Sequence, residues 1–74
     1  MSEYQRIRGF AERSLERLQR RRSYAPNQTV ELEDTIVDSA YLLGLDCIHI
    51  WVEVFQDDEV MLNKLNLLSI RGTP

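Results

Sequence analysis

Two residues that interrupt regular structure, Pro26 and Gly44, divide this chain of 74 residues into three segments. Proline restricts the residue before it to extended backbone, and glycine is the residue that most often ends a helix. No glycine or proline lies between Gly44 and Gly72. Within each segment, apolar residues recur every three or four positions, which is the repeat of an amphipathic helix. The pattern therefore predicts an all-α protein.

The segments predict three or four antiparallel helices, at about residues 2–22, 29–43, 46–57 and 58–70. Ser2 is a typical N-cap, and Gly44 is placed to end the second helix with a left-handed backbone. The acidic run Asp57-Asp58-Glu59 marks either a break with a capping acid or the middle of one long helix, so the last two helices can also be continuous. At this length the chain, residues 1–74, is expected to form a single small domain.

Residues 46–57 fit two kinds of structure. The β-branched and aromatic side chains, with apolar residues alternating from Ile48 to Val54, favour a strand at 47–55 and an α+β fold. The polar residues from Asp46 to Gln56 instead recur in steps of three and four, which places them in one stripe on a helix. We favour the helix, because no second segment of the chain is a convincing partner for a lone strand.

Charge is divided unevenly along the chain. Seven arginines and three acids give residues 1–22 a net charge of +4, whereas two basic and nine acidic residues give the remainder −7. If the first two helices form an antiparallel hairpin, three arginines come to lie opposite three acids. The expected pairs are Arg20 with Glu31, Arg17 with Asp34, and Arg13 with Asp38. The same six residues are the alternative candidates for a charged surface that meets a partner.

The second half of the chain holds more apolar side chains than two thin helices are expected to cover. Such a surplus is typical of a docking surface, and tryptophan and phenylalanine are effective interface anchors. The predicted interface consists of Ile48, Trp51, Val52, Phe55, Met61, Leu62, Leu65 and Leu68. The expected function is that of a non-enzymatic protein–protein interaction module: a small regulator, inhibitor or subunit of a larger assembly. Its partner would be another protein or a second copy of the chain, as in a homo-oligomer.

A helix-turn-helix regulator that binds nucleic acid is the alternative function. Ala40, Leu43, Gly44, Leu45 and Ile50 match the small, turn and core positions of that motif. The arginine-rich first helix would then supply the phosphate contacts. Against this, the second helix of the motif presents acidic and apolar residues where base-reading side chains are needed.

No constellation predicts catalysis or metal binding. On a helix, Cys47 and His49 point to different sides and cannot act together. Glu53 lies one turn after His49 and can form a hydrogen bond with it without any catalytic role. The acidic run lacks the glycine and spacing of a calcium loop. We expect no catalytic residue, no metal and no cofactor. No apolar run approaches the about 20 residues of a membrane span, and the N-terminal residues lack an apolar signal core, so a cytoplasmic protein without a membrane partner is expected.

Overall fold

A computed structural model describes residues 2–71, with the side chain of Arg71 excluded. The described range is all-α and contains four helices, which confirms the predicted fold class. They are α1 (Glu3–Tyr24), α2 (Thr29–Leu43), α3 (Ile48–Val54) and α4 (Glu59–Arg71). Short 3₁₀ turns at Pro26–Gln28 and Leu45–Cys47 connect the first three helices. No strand forms between residues 2 and 71, so the alternative of a strand at 47–55 is wrong.

The helix ends follow from specific side chains. Ser2 Oγ accepts a hydrogen bond from the N–H of Gln5, and Gln5 Oε1 accepts one from the N–H of Ser2. This reciprocal capping box satisfies two donors that a helix start leaves unpaired. Gly44 ends α2 with φ 108° and ψ 138°. Its φ is positive, as predicted, but its ψ is extended rather than helical, a combination that glycine alone adopts without strain.

The third predicted helix ends early because Asp58 starts a new one. Asp58 Oδ1 accepts a hydrogen bond from the N–H of Met61, and Glu59 adds a negative charge in the first turn of α4. The capping hydrogen bond and the negative charge both stabilise the start of a helix. The acidic run is therefore a break with a capping acid and not the middle of a continuous helix.

The core of the chain lies between α1 and α4, with α2 and α3 contributing side chains to both. Each of the two outer helices packs on α2 and on α3, and the chain turns by 110° between Pro26–Leu43 and Leu45–Val54. The buried apolar residues are Ile7, Ala11, Leu18, Leu32, Ile36, Val37, Ala40, Ile50, Trp51, Phe55, Met61, Leu65 and Leu68. Trp51 lies between two other aromatic rings, edge-on to Phe10 and stacked on Phe55.

The predicted charge register between α1 and α2 is wrong. In the described part of the chain Arg20 pairs with Glu16 and Asp34 pairs with Lys64, while Arg13, Arg17, Glu31 and Asp38 make no ion pair. Both helices are rotated so that their apolar stripes face the core. Burying one large apolar side chain stabilises by about 1.5–3 kcal/mol, whereas an exposed ion pair contributes about 0–1 kcal/mol. Apolar burial therefore decides the rotation.

No single helix among residues 2–71 has both the length and the apolar composition to cross a membrane. Pro26–Leu43 and Leu45–Val54 meet the criterion only when taken together as a bent pair.

Candidate protein-binding surfaces

The predicted apolar interface is largely part of the core. Trp51, Phe55, Met61, Leu65 and Leu68 are each at most 2% exposed in the single chain, and Ile48, Val52 and Leu62 are half-buried. The expectation that these residues form an exposed docking surface is wrong for the five buried ones. The break at Asp58 is the physical reason, since it lets α4 fold back and cover side chains that one continuous helix would have left exposed.

A different apolar surface lies between α2 and α4. A groove of about 310 Å³ is lined by Asp34, Val37, Lys64, Leu67 and Ile70. The side chains of Leu67 and Ile70 are 59% and 69% exposed. Neither residue was in the predicted interface. Both lie on a different side of α4 from the buried residues, which recur at every third or fourth position. This difference in helical position was the signal in the sequence that could have identified them.

The two helices beside this groove run in the same direction. Asp34 on α2 bonds Lys64 on α4, and one turn further along each helix Val37 and Leu67 both line the groove. Because the two helices advance together toward their C-terminal ends, α2 and α4 are parallel neighbours. A groove between two such helices can accommodate a third helix.

A cluster of charges around the buried Glu33 joins the helices beside the groove. Glu33 is 5% exposed and accepts contacts from Arg22 of α1 at 2.9 Å and from Lys64 of α4 at 3.3 Å. Lys64 also reaches Asp34 at 3.0 Å. Burial alone would lower the pKa of Lys64, but hydrogen bonding to Asp34 and Glu33 outweighs burial and raises that pKa. One carboxylate thus connects three helices.

Arg22 extends this cluster to the start of α4. Its guanidinium donates hydrogen bonds to Asp58 as well as to Glu33, and the bond to Asp58 is the main cause of its raised pKa. Burial would raise the pKa of Asp58, but the bonds from Arg22 and from the N–H of Met61 together lower it. The capping acid of α4 is therefore also a partner in the cluster.

A second concave region lies beside the same cluster. It has a volume of about 780 Å³ and lies between the end of α1, the start of α2 and the turn that follows α3. Arg22, Glu33 and Asp58 form part of its lining and are bonded to one another. Because these charges already have partners, the region is better explained as the seam that joins the helices than as a ligand site.

The outer faces of α1 and α2 carry opposite charges. Arg13, Arg17 and Arg20 are exposed on the side of α1 opposite its buried residues, with Phe10 41% exposed in the same row. On α2 the exposed row consists of Glu31, Asp34, Asp38 and Tyr41, with Tyr41 54% exposed. We call these rows the basic ridge (Phe10, Arg13, Arg17, Arg20) and the acidic ridge (Glu31, Asp34, Asp38, Tyr41). Within one chain the two ridges do not meet.

Of the three residues considered for catalysis, Glu53 is bonded to side chains of α1. Glu53 accepts hydrogen bonds from Arg8 at 2.8 Å and from the hydroxyl of Tyr4 at 3.1 Å. These bonds, chiefly the one from Arg8, lower the pKa of Glu53. Cys47 is a half-buried free thiol, and His49 is exposed. No group of three or more potential metal ligands converges within residues 2–71.

The helix-turn-helix geometry is present only in part. The 110° turn between Pro26–Leu43 and Leu45–Val54 lies in the range of that motif. However, α3 has seven residues, its exposed side chains are His49 and Glu53, and Glu53 is held by α1. The segment that would enter the major groove thus presents one carboxylate and one imidazole.

Comparison with family models, with curated proteins and with solved structures returns no match. What the surfaces can bind follows from their geometry and charge.

Proposed function

We propose that this chain is a non-enzymatic protein-binding module that accepts an amphipathic helix of another protein in the groove between α2 and α4. The exposure of Leu67 and Ile70 beside buried Val37 is the observation that carries the proposal. Apolar side chains that border an open groove gain free energy when a partner removes them from water. The module therefore acts through the C-terminal helix, but through a different face from the one that the sequence pattern suggests.

The shape of the groove favours a helix as its occupant. Two parallel helices present ridges that a third helix can fill by packing its own side chains between them. The polar pair of Asp34 and Lys64 crosses the groove near one end. The occupant should therefore carry an apolar stripe at three- and four-residue spacing, with a polar residue where it passes this pair.

The proposal is tested by crosslinking followed by measured binding. Leu67 is replaced by a photoreactive phenylalanine derivative, and the partner that it captures in an extract of the native cells is identified. The purified partner is then titrated against the unmodified chain to measure the affinity. Leu67→Lys and Ile70→Lys should each weaken binding at least about tenfold, because each places a charge against an apolar surface.

Tyr24→Lys is the matched control for this experiment. Tyr24 lies at the end of α1 and is 68% exposed, and its aromatic ring is apolar like the side chains that line the groove. Its substitution should leave the affinity unchanged. A partner that binds the two groove variants as tightly as the unmodified chain would refute the proposal.

Nucleic-acid binding through α1 is the second candidate, supported by the exposure of Arg13 and Arg17 and by the angle of the turn after α2. It is less well supported, since α3 offers no base-reading row and the chain as a whole carries a charge of −3. Binding to duplex DNA would have to weaken steeply with salt, as expected for phosphate contacts alone.

A further inference from the structure

The exposed ridges of α1 and α2 match each other position by position. Arg13, Arg17 and Arg20 are separated by four and then three residues, and Asp38, Asp34 and Glu31 are separated by the same steps in the opposite direction. At about 1.5 Å per residue, both sets span about 10 Å along their helices. Two antiparallel helices can therefore bring all three pairs together at once.

The match continues into the aromatic residues. The register that pairs Arg13 with Asp38 places Phe10 opposite Tyr41, and both rings are about half exposed. Paired aromatic rings would close one end of the row and add apolar contact to the ion pairs. Two helices can have opposite net charges without their residues matching in position. A match at four positions in one register therefore indicates a specific contact.

We propose that the basic ridge of one copy binds the acidic ridge of a second copy with the two helices antiparallel. Within a single chain these pairs do not form, because the arginines and acids of the two ridges are exposed on α1 and α2 and do not meet. Phe10 also packs edge-on against Trp51, and Asp34 also pairs with Lys64. Arg13, Arg17, Glu31 and Asp38 thus have no ion-pair partner among the described residues, and a second copy supplies one for each. Every copy carries both ridges, so two arrangements are open to the assembly. Each added copy can repeat the contact to form a chain of copies, or two copies can make the contact reciprocally as a two-fold dimer.

A second copy fits these observations better than a nucleic acid does. A phosphate backbone would match the basic ridge but would be repelled by the acidic ridge, and it gives no reason for the equal spacing. Asp34 borders the groove between α2 and α4 as well as belonging to the acidic ridge, but Leu67 and Ile70 take no part in the contact. The variants below leave Asp34, Leu67 and Ile70 unchanged, so failure of this inference can be distinguished from failure of the proposed function.

The test is the molar mass of the chain in solution, measured by light scattering with two charge-reversed variants. One variant carries Arg13→Glu and Arg20→Glu, and the other carries Glu31→Arg and Asp38→Arg. The unmodified chain should have the mass of two or more copies at about 0.01 M salt and of one copy at about 1 M salt, where the screening length falls from about 30 Å to about 3 Å. Each variant alone should be monomeric at low salt, and an equal mixture should associate again.

Arg6→Glu is the control for net charge, because Arg6 lies outside the four matched positions and is exposed. It should leave association unchanged, whereas Arg13→Glu should reduce it. Circular dichroism of each variant excludes loss of the fold as the cause. The inference is overturned if the unmodified chain is monomeric at low salt, if the mixture does not associate, or if the arginine variant loses only affinity for duplex DNA.

Discussion

Two buried polar groups show how individual residues shape this small core. Glu33 is charged and 5% exposed, and two cations from other helices compensate its burial. The indole nitrogen of Trp51 is buried with no acceptor among the described residues, which costs about 1–3 kcal/mol. The large apolar surface of the ring outweighs that cost. Glu33 is thus held by specific contacts and Trp51 by packing.

Glycine at position 9 lowers the stability of α1. Glycine in a helix interior costs about 0.5–1 kcal/mol relative to alanine. A methyl group there would lie 3.3 Å from Nη1 of Arg13, the end of a flexible side chain that can move aside. Gly9→Ala should therefore raise the melting temperature by about 4–8 °C per kcal/mol gained, measured by circular dichroism.

Gly44→Ala is the matched comparison for that variant. The site has open space around it, but its φ of 108° strains any residue with a side chain. The substitution should lower the melting temperature although it adds the same methyl group. Equal shifts at the two glycines would show that backbone geometry does not distinguish them.

At the level of the helices, the break between α3 and α4 depends on Asp58, which caps α4 and binds Arg22. Asp58→Asn keeps a capping oxygen, whereas Asp58→Ala removes it. The alanine variant should be less stable than the asparagine variant by about 1 kcal/mol in urea unfolding at neutral pH.

The bond to Arg22 also predicts how stability depends on pH. The pKa of Asp58 is below its ordinary value of 3.8 in the folded chain, so its stabilising effect is complete above that value and is lost as the pH falls through the lowered pKa. The difference in unfolding free energy between the unmodified chain and Asp58→Asn should therefore shrink on acidification. A difference that stays constant between about pH 7 and about pH 3 would contradict this assignment.

Most of the helical structure could be predicted from the sequence because it depends on local signals. The bounds of α2 coincide with the predicted 29–43, since Pro26 restricts the backbone before the helix and Gly44 adopts the positive φ that ends it. In the segment after Gly44, the polar stripe predicted a helix correctly where β-branched composition favoured a strand. The bond from Arg22 to Glu33 could not be predicted, because it depends on how three helices rotate about their axes.

For the whole molecule, the sequence pattern did not show whether the apolar stripe of α4 faces the core or a partner. Leu65 is fully buried and Leu67 is 59% exposed, although they are the same residue type two positions apart. Hydrophobicity alone treats them alike. They lie on different sides of α4, and the packing of α4 against α2 and α3 decides which side is buried. For this reason the predicted interface included residues of the core and omitted those that line the groove.

The same pair of leucines tests the packing of the molecule. Leu65→Ala should destabilise the chain by about 2–5 kcal/mol, because it leaves a cavity in the core. Leu67→Ala should change stability by about 0.5 kcal/mol or less, as at an ordinary surface position. Urea unfolding of the two variants measures both values. Similar losses at the two positions would mean that α4 is not rotated as described.

The chain has a single tryptophan, and Trp51 is completely buried between Phe10 and Phe55. Its fluorescence will consequently report the integrity of the folded state. A ligand that fills the groove beside Leu67 touches none of the aromatic rings around Trp51. Emission spectra should thus remain constant while such a complex forms, and a dye attached elsewhere is needed to follow its assembly.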